Sequence, residues 1–361
     1  MNNIKKIGLT ALAGSLVTLG SAQAGEMSVS GGINTALKFG KGGGNTSRTI
    51  GTDKDVAFTG GGELDNGTTF SMTATTNDAH GISSSTTTIT TPSYGSFSLG
   101  SSSGSASYMY DEEVPTAYEQ VSDGKDTMAN KVGDFMDNNS VMYTSPTLEM
   151  MGASITAHLG YSPQANDEAV GDGAQVTQSG TVGSGKEAGI TISYEGLKLG
   201  FYGAERDRKT PEAVSGTGNY EHDEFNGAWY AKYTMGPVSI GYSETYADAG
   251  VTANPESTTA AKTRRSTGGI YTSESMSIAF NVNDNMSISY TTADETYDTQ
   301  DDAKTAVTTD DDVTESIDAI QIAYSMGGMS IQAYNMEVSN PGQDDNAADQ
   351  SVSEIALGFA F

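Results

Sequence analysis

From residue 25 onward, apolar and polar side chains exchange places at every second position in segments of about ten residues. Ile190, Ile192 and Tyr194 fall on one side, with Thr191 and Ser193 on the other. The pattern resumes two residues later, with Leu197, Leu199 and Phe201 set against Lys198, Gly200 and Tyr202. Ile278, Phe280 and Val282 alternate with Ala279 and Asn281, and Ile320, Ile322 and Tyr324 with Gln321 and Ala323. The chain ends the same way. Ile355, Leu357, Phe359 and Phe361 make an apolar face, and Glu354, Ala356, Gly358 and Ala360 a small or charged one. Successive side chains on an extended strand point to opposite faces, so each segment predicts a strand with one apolar and one polar face. The pattern is faint at 83–91, which is nearly all Ser and Thr, and its phase is ambiguous at 329–338. Helical periodicity is almost absent.

The connections alternate too. Tight-turn chemistry stands at Asp65-Asn66-Gly67, Pro92-Ser93-Tyr94-Gly95, 147–151, Glu195-Gly196, Met235-Gly236-Pro237, Asn283-Asp284-Asn285 and Gly327-Gly328. Long polar stretches lie between them, at 39–53, 77–83, 102–138, 163–186, 206–221, 247–263, 298–314 and 339–349. Seven short turns and eight long loops join sixteen strands. An even number of antiparallel strands with this asymmetry is the pattern of a membrane barrel, whose apolar face meets lipid and whose polar face meets a wet lumen. The expected fold is all-β: a 16-stranded antiparallel transmembrane β-barrel over 25–361, with short periplasmic turns and long external loops. Tyr94, Tyr194, Tyr233, Tyr324 and Phe361 fall near the short-turn ends, as an aromatic girdle would. A soluble sandwich gives no reason for the regular alternation of turns and loops. No repeat with a period of roughly 20–50 residues points to a solenoid.

The N-terminus reads as a secretory leader. Lys5 and Lys6 precede an apolar stretch from Ile7 to Gly20, and Ala22-Gln23-Ala24 is an A-x-A cleavage site, so residues 1–24 are expected to be removed. An exported chain without cysteine has no disulfide framework, no thiolate metal site and no cysteine nucleophile. After the leader there is no apolar run of about 18 residues, so no helix is expected to span a membrane. Mean hydropathy of −0.38 suits a barrel, in which only alternate residues are apolar. The chain carries 46 acidic and 18 basic residues. Its net charge of −28 deepens by two when Lys5 and Lys6 leave with the leader. Nucleic acid requires a surface of the opposite sign and is excluded as a partner.

On these features the chain resembles the general bacterial porins, particularly those of alphaproteobacteria. The resemblance spans the whole chain. It rests on the leader followed by Gly25-Glu26-Met27-Ser28-Val29-Ser30-Gly31, and on Tyr94-Gly95-Ser96-Phe97-Ser98-Leu99-Gly100 leading into a long loop. It also rests on Asn139-Ser140-Val141-Met142-Tyr143-Thr144-Ser145-Pro146 as the return strand, and on the terminal Phe361. It implies an outer-membrane homotrimer of barrels in a Gram-negative bacterium, passing small hydrophilic solutes and ions. It also implies a third loop folded inward, and Phe359 and Phe361 as the signal read by the barrel-assembly machinery. The matching loop, 102–138, is the candidate pore constriction. It carries Asp111, Glu112, Glu113, Glu119, Asp123, Asp126, Asp134 and Asp137, offset only by Lys125 and Lys131. In such porins the acidic side of the loop faces a basic cluster. Here the strands of 54–101 contain no arginine, and Lys54 is their only basic residue. The lumen-phase candidates for the basic or polar wall are Lys38, Lys198, Lys232, Arg206 and His158. The imbalance favours cations, because rings of carboxylates do.

No enzymatic motif survives its context. Gly180-Thr181-Val182-Gly183-Ser184-Gly185-Lys186 imitates a phosphate loop, but Glu187 stands where Ser or Thr is needed. Gly100-Ser101-Ser102-Ser103-Gly104 matches a nucleophile elbow inside a Ser/Gly-rich stretch, without an α/β setting. Asp301-Asp302 and Asp310-Asp311-Asp312 offer oxygens to calcium, but no glycine-punctuated calcium loop surrounds them. The expectation is a passive diffusion porin with no cofactor, calcium being the one ion to consider. The alternatives are a secreted or surface structural or adhesive β-protein without a pore, and a solute-specific channel using Tyr202 and Tyr230.

Overall fold

The computed structural model describes residues 26–42, 45–76, 81–101, 104–123, 125, 127–165, 182–208, 219–248, 250–253, 270–298, 312–344 and 346–361. The predicted leader, Asp126, and Asp301, Asp302, Asp310 and Asp311 lie outside these residues.

The chain runs through β1 (Glu26–Gly42), β2 (Asn45–Glu63), β3 (Thr69–Thr76), β4 (Ile82–Thr91), β5 (Gly95–Ser101), β6 (Ser140–Thr144), β7 (Leu148–Met150), β8 (Ala153–Ser162), β9 (Val182–Tyr194) and β10 (Leu197–Arg208). It continues through β11 (Asn219–Glu221), β12 (Glu224–Met235), β13 (Val238–Asp248), β14 (Val251–Ala253), β15 (Ile270–Asn283), β16 (Met286–Asp298), β17 (Val313–Met326), β18 (Met329–Ser339) and β19 (Gln350–Ala360). β11 and β14 form a small separate ladder. β6 and β7 are two pieces of one stave, since both pair with β8. The remainder is a closed antiparallel barrel of sixteen staves, sealed where β1 pairs with β19 from Gly32↔Ala360 to Gly42↔Gln350. Closure leaves no edge strand with unpaired N–H and C=O groups facing lipid.

The alternation fixes which face is which. Ile278, Phe280, Ile320, Ile355, Leu357 and Phe359 are exposed on the outer surface. Between them, Ser277, Gln321, Glu354 and Ala356 are buried inside. Tyr94, Tyr194, Tyr233, Tyr324 and Phe361 are all exposed at the short-turn ends, as the girdle reading expects. The faint segments become β4 and β18, the latter with Gln332, Tyr334, Met336 and Val338 inward.

Two boundaries differ most from the sequence reading. The stretch 39–53 is not a long loop. β1 and β2 stay paired from Phe39↔Arg48 to Gly42↔Asn45, because ladder bonds use the backbone and tolerate the Gly-rich composition that read as a loop. The 147–151 turn is displaced to Met151 and Gly152, both at positive φ. The break in this stave falls earlier, at Pro146, which has no N–H to give the ladder. Ser145 covers the gap, its N–H donating to the Ala157 carbonyl at 2.9 Å and its hydroxyl accepting from the Ala157 N–H at 2.9 Å. Gly95 is required opposite this break. Its φ is +82°, and a Cβ there would collide with the Thr144 carbonyl.

The seam is equally tight at Gly31. The Gly31 N–H donates to the Phe361 carbonyl at 2.8 Å and the Phe361 N–H returns a bond at 3.0 Å. A Cβ on Gly31 would stand 2.8 Å from the Asp55 carbonyl and 2.9 Å from the Phe361 ring. Gly31→Val is therefore expected to destabilise the barrel by about 1–3 kcal/mol. A heat-modifiable gel shift should occur at lower temperature than in the parent chain, and an unchanged transition would refute the tight seam.

Candidate functional site

Between β5 and β6 the chain does not return over the rim. Its described residues from 104 to 139 enter the barrel and lie against the inward side chains of the wall. Among those described residues, two single turns of 3-10 helix, Ser107–Met109 and Asp134–Met136, are the only regular structure. A segment so irregular leaves backbone groups to satisfy, and the wall supplies the partners.

At its start, the Ser105 hydroxyl and the Ala106 N–H donate to Glu187 of β9 at 2.8 and 3.0 Å, and the Tyr202 hydroxyl donates to the same carboxylate at 2.7 Å. Tyr110 stacks on Tyr202 at 5.3 Å and meets His158 edge-on at 6.1 Å. Glu113 then pairs with Lys232 at 2.6 Å. Farther on, the Ala117 N–H donates to Ser289 of β16 at 2.8 Å, and the Tyr118 N–H to Gln321 of β17 at 2.8 Å. The Gln321 amide donates back to the Glu119 carbonyl at 2.7 Å. The Tyr118 hydroxyl donates to Glu354 of β19 at 2.7 Å, at the barrel seam. Burial and the nearby Glu119 hold that hydroxyl protonated above the usual tyrosine range, so it remains a donor. On the return, the Met128 N–H donates to Glu295 of β16 at 2.7 Å, and Phe135 packs under the Arg206 guanidinium.

The predicted acids separate into two sets. Asp111, Glu112 and Glu113 are buried in the loop–wall seam. Glu112 accepts from the Ser122 hydroxyl and N–H, and burial pushes its carboxyl up to about 7. Glu119, Asp123 and Asp137 are half-exposed and Asp134 is exposed. Partial desolvation raises the Asp134 carboxyl to about 6 against the pull of Lys131. Asp137 rises to about 7, through burial and then the neighbouring Asp134.

The predicted basic residues are inward but engaged, and none stands as a free row facing the acids. Lys38 pairs with Glu354 at 2.8 Å, Lys232 with Glu113, and Arg206 with Glu224. Lys198 and Lys232 lie directly opposite each other in the ladder and flank the Tyr230 ring at 5.6 and 5.3 Å. His158 is buried and bonded to the Thr144 hydroxyl at 3.1 Å. Tyr202 and Tyr230 sit beneath the loop against Tyr110, and do not form an open aromatic track.

The opposite side of the lumen is a wall of hydroxyls. Thr59 bonds Thr73 at 3.0 Å and Thr88 bonds Ser98 at 2.9 Å, and all four remain partly exposed, unlike the buried residues under the loop. Asp53 and Asp55 of β2 share the inward face with Asn34 and Gly32, while Lys54 takes the outward phase with Ile33. Sequence reasoning missed these two aspartates and the wall acceptors Glu187, Glu295, Gln321 and Glu354. Strand phase could have placed all of them inward; their loop partners carry no sequence signal.

The family model for Gram-negative porins matches residues 8–301. The chain belongs to the Gram-negative porin family. Known structures with this fold include OmpF of Salmonella typhi in complex with daunomycin, at 10% identity and a TM-score of 0.66, covering 93% of this porin and 97% of that chain. OmpT of Vibrio cholerae aligns at 12% identity and a TM-score of 0.63, over 95% of this porin and all of that chain. The anion-selective porin of Comamonas acidovorans aligns at 13% identity and a TM-score of 0.62, over 93% of this porin and all of that chain. No curated protein sequence matches significantly. This porin is therefore a channel protein of the outer membrane of a Gram-negative bacterium.

Tyr118→Phe keeps the ring and removes the hydroxyl that reaches Glu354. Losing a bond to a charged acceptor is expected to loosen the loop by about 1.5–3 kcal/mol. Single-channel records of this porin variant should be noisier at unchanged ion selectivity, and a quiet, parent-like record would refute the anchor.

Proposed function

We propose that this porin is a cation-preferring diffusion channel for small hydrophilic solutes and ions. The passage runs between the inserted loop and the hydroxyl wall of β2–β5. The observation that carries the reading is the charge balance at that opening. Glu119, Asp123, Asp134 and Asp137 reach water from the loop, and Asp53 and Asp55 share the inward face of β2. Meanwhile Lys38, Lys232 and Arg206 are each paired with a carboxylate. Carboxylates lining a narrow low-dielectric passage concentrate cations and repel anions. No bond chemistry is involved. The same reading takes the working form as a homotrimer, supported by the trimeric form recorded for OmpT of Vibrio cholerae, and leaves calcium to be tested at the acid-rich external segments.

The test is a reversal potential in a planar bilayer under a KCl gradient. Cation selectivity is expected, and anion selectivity would overturn the charge assignment while leaving the barrel intact. The double substitution Asp134→Asn with Asp137→Asn should lower the cation-to-anion permeability ratio. Glu112→Gln, at a buried acid, should leave that ratio unchanged.

Acid should act in the same direction. Asp137 and Asp134 take up protons as pH falls through about 7 and about 6, so their charge is present above that range and lost below it. Selectivity for cations should weaken across that window. The stability contribution has the opposite sense: raised carboxyl pKa values favour the folded loop at low pH, and that contribution is lost as pH rises through the same window. A reversal potential flat from neutral to mildly acid pH would rule these two residues out.

A further inference from the structure

The last external loop, between β18 and β19, bends back into the mouth of the barrel. Asn340, Gly342 and Gln343 all have left-handed backbones, with φ of +49°, +69° and +52°. A glutamine in that region needs surrounding contacts to hold it. Those contacts are inside the barrel. The Gln343 side chain is 0% exposed, and its amide donates to Glu295 Oε1 at 2.7 Å. The Gly342 N–H donates to Glu315, and the Asn340 amide donates to the Thr314 carbonyl at 2.9 Å.

Glu295 also holds the constriction loop. Its Oε2 accepts the Met128 N–H at 2.7 Å and the Ser273 hydroxyl at 2.8 Å. Glu295 and Glu315 are directly opposite each other on adjacent strands, and are 2% and 1% exposed. Two buried carboxylates facing each other repel. Donors from both loops offset that repulsion: Met128 and Gln343 on Glu295, Gly342 on Glu315, with Lys125 of the constriction loop within electrostatic reach of Glu315.

We infer that the external segment 340–344 is a strap on the constriction loop, joined to it through the opposed pair Glu295 and Glu315, so that a disturbance at the external mouth reaches the lumen. A force or ligand acting on the strap changes the population of closed loop arrangements without touching the selectivity residues.

Hydrogen exchange read by mass spectrometry on the full chain in detergent tests the linkage. Gln343→Ala removes the side chain, and Gln343→Met keeps its volume while removing the donor, which guards against misfolding of the first variant. In both, the peptide containing the Met128 amide is expected to exchange about fivefold faster, as loss of one supporting bond predicts. An unchanged rate in both variants would overturn the strap. Single-channel recording tests the consequence. Brief closures are expected to become several-fold more frequent at unaltered reversal potential. Parent-like currents despite faster exchange would overturn the transmission to the lumen. The current arm rests on the channel reading and the exchange arm does not, so the two ideas fail separately.

Discussion

The structure depends on one constraint: a backbone that crosses hydrocarbon must find all its hydrogen-bond partners within itself. Sixteen staves meet it only by closing, and the β1–β19 ladder is where they close. Closure then dictates the rest. A closed sheet has an inside and an outside, so each strand must carry apolar residues at one parity and tolerate polar ones at the other. Gly31 is held to glycine because the terminal phenylalanine and the Asp55 carbonyl both crowd it. The apolar alternation follows from that closure, and Phe361 stands exposed on the outer face beside the seam.

The inserted loop obeys the same rule in a different medium. Inside the lumen its backbone cannot pair with a neighbouring strand, so side chains on the wall take that role. Glu187, Glu295, Gln321 and Glu354 accept N–H and O–H groups from it. A buried carboxylate without partners is costly, and hydrogen bonds to charged groups are stronger than neutral ones. Loop and wall therefore satisfy each other. This also explains how an acid-rich, arginine-poor chain keeps its loop in place: neutral donors stand beside the few cations. The acids that reach water from the loop are the ones the proposed passage uses, and among them desolvation raises the carboxyls of Asp134 and Asp137.

Phase proved the legible part of the site. Lys38, Lys198, Arg206 and Lys232 could be put on the inward face by counting, because a strand has a strict period of two. What counting could not supply was the occupant of that face. Lys232 meets Glu113 across 119 positions of sequence, and Tyr118 meets Glu354 across 236. The acids of the loop looked equivalent in the sequence, yet of the seven described, three are sealed against the wall and four reach water. Boundaries misread where composition and pairing disagree, as in the glycine-rich hairpin of β1 and β2 and at Pro146.

By itself the sequence determined the architecture: strand number, inward and outward faces, and most of the alternation of turn and loop. These are local properties, written as period-two patterning and turn chemistry along neighbouring residues. Only the tertiary structure decided which carboxylates face water, which cations are already engaged, and that two loops distant in sequence share Glu295. Those facts depend on distances across a closed barrel, where residues far apart in the chain become neighbours and desolvation depends on what lies opposite.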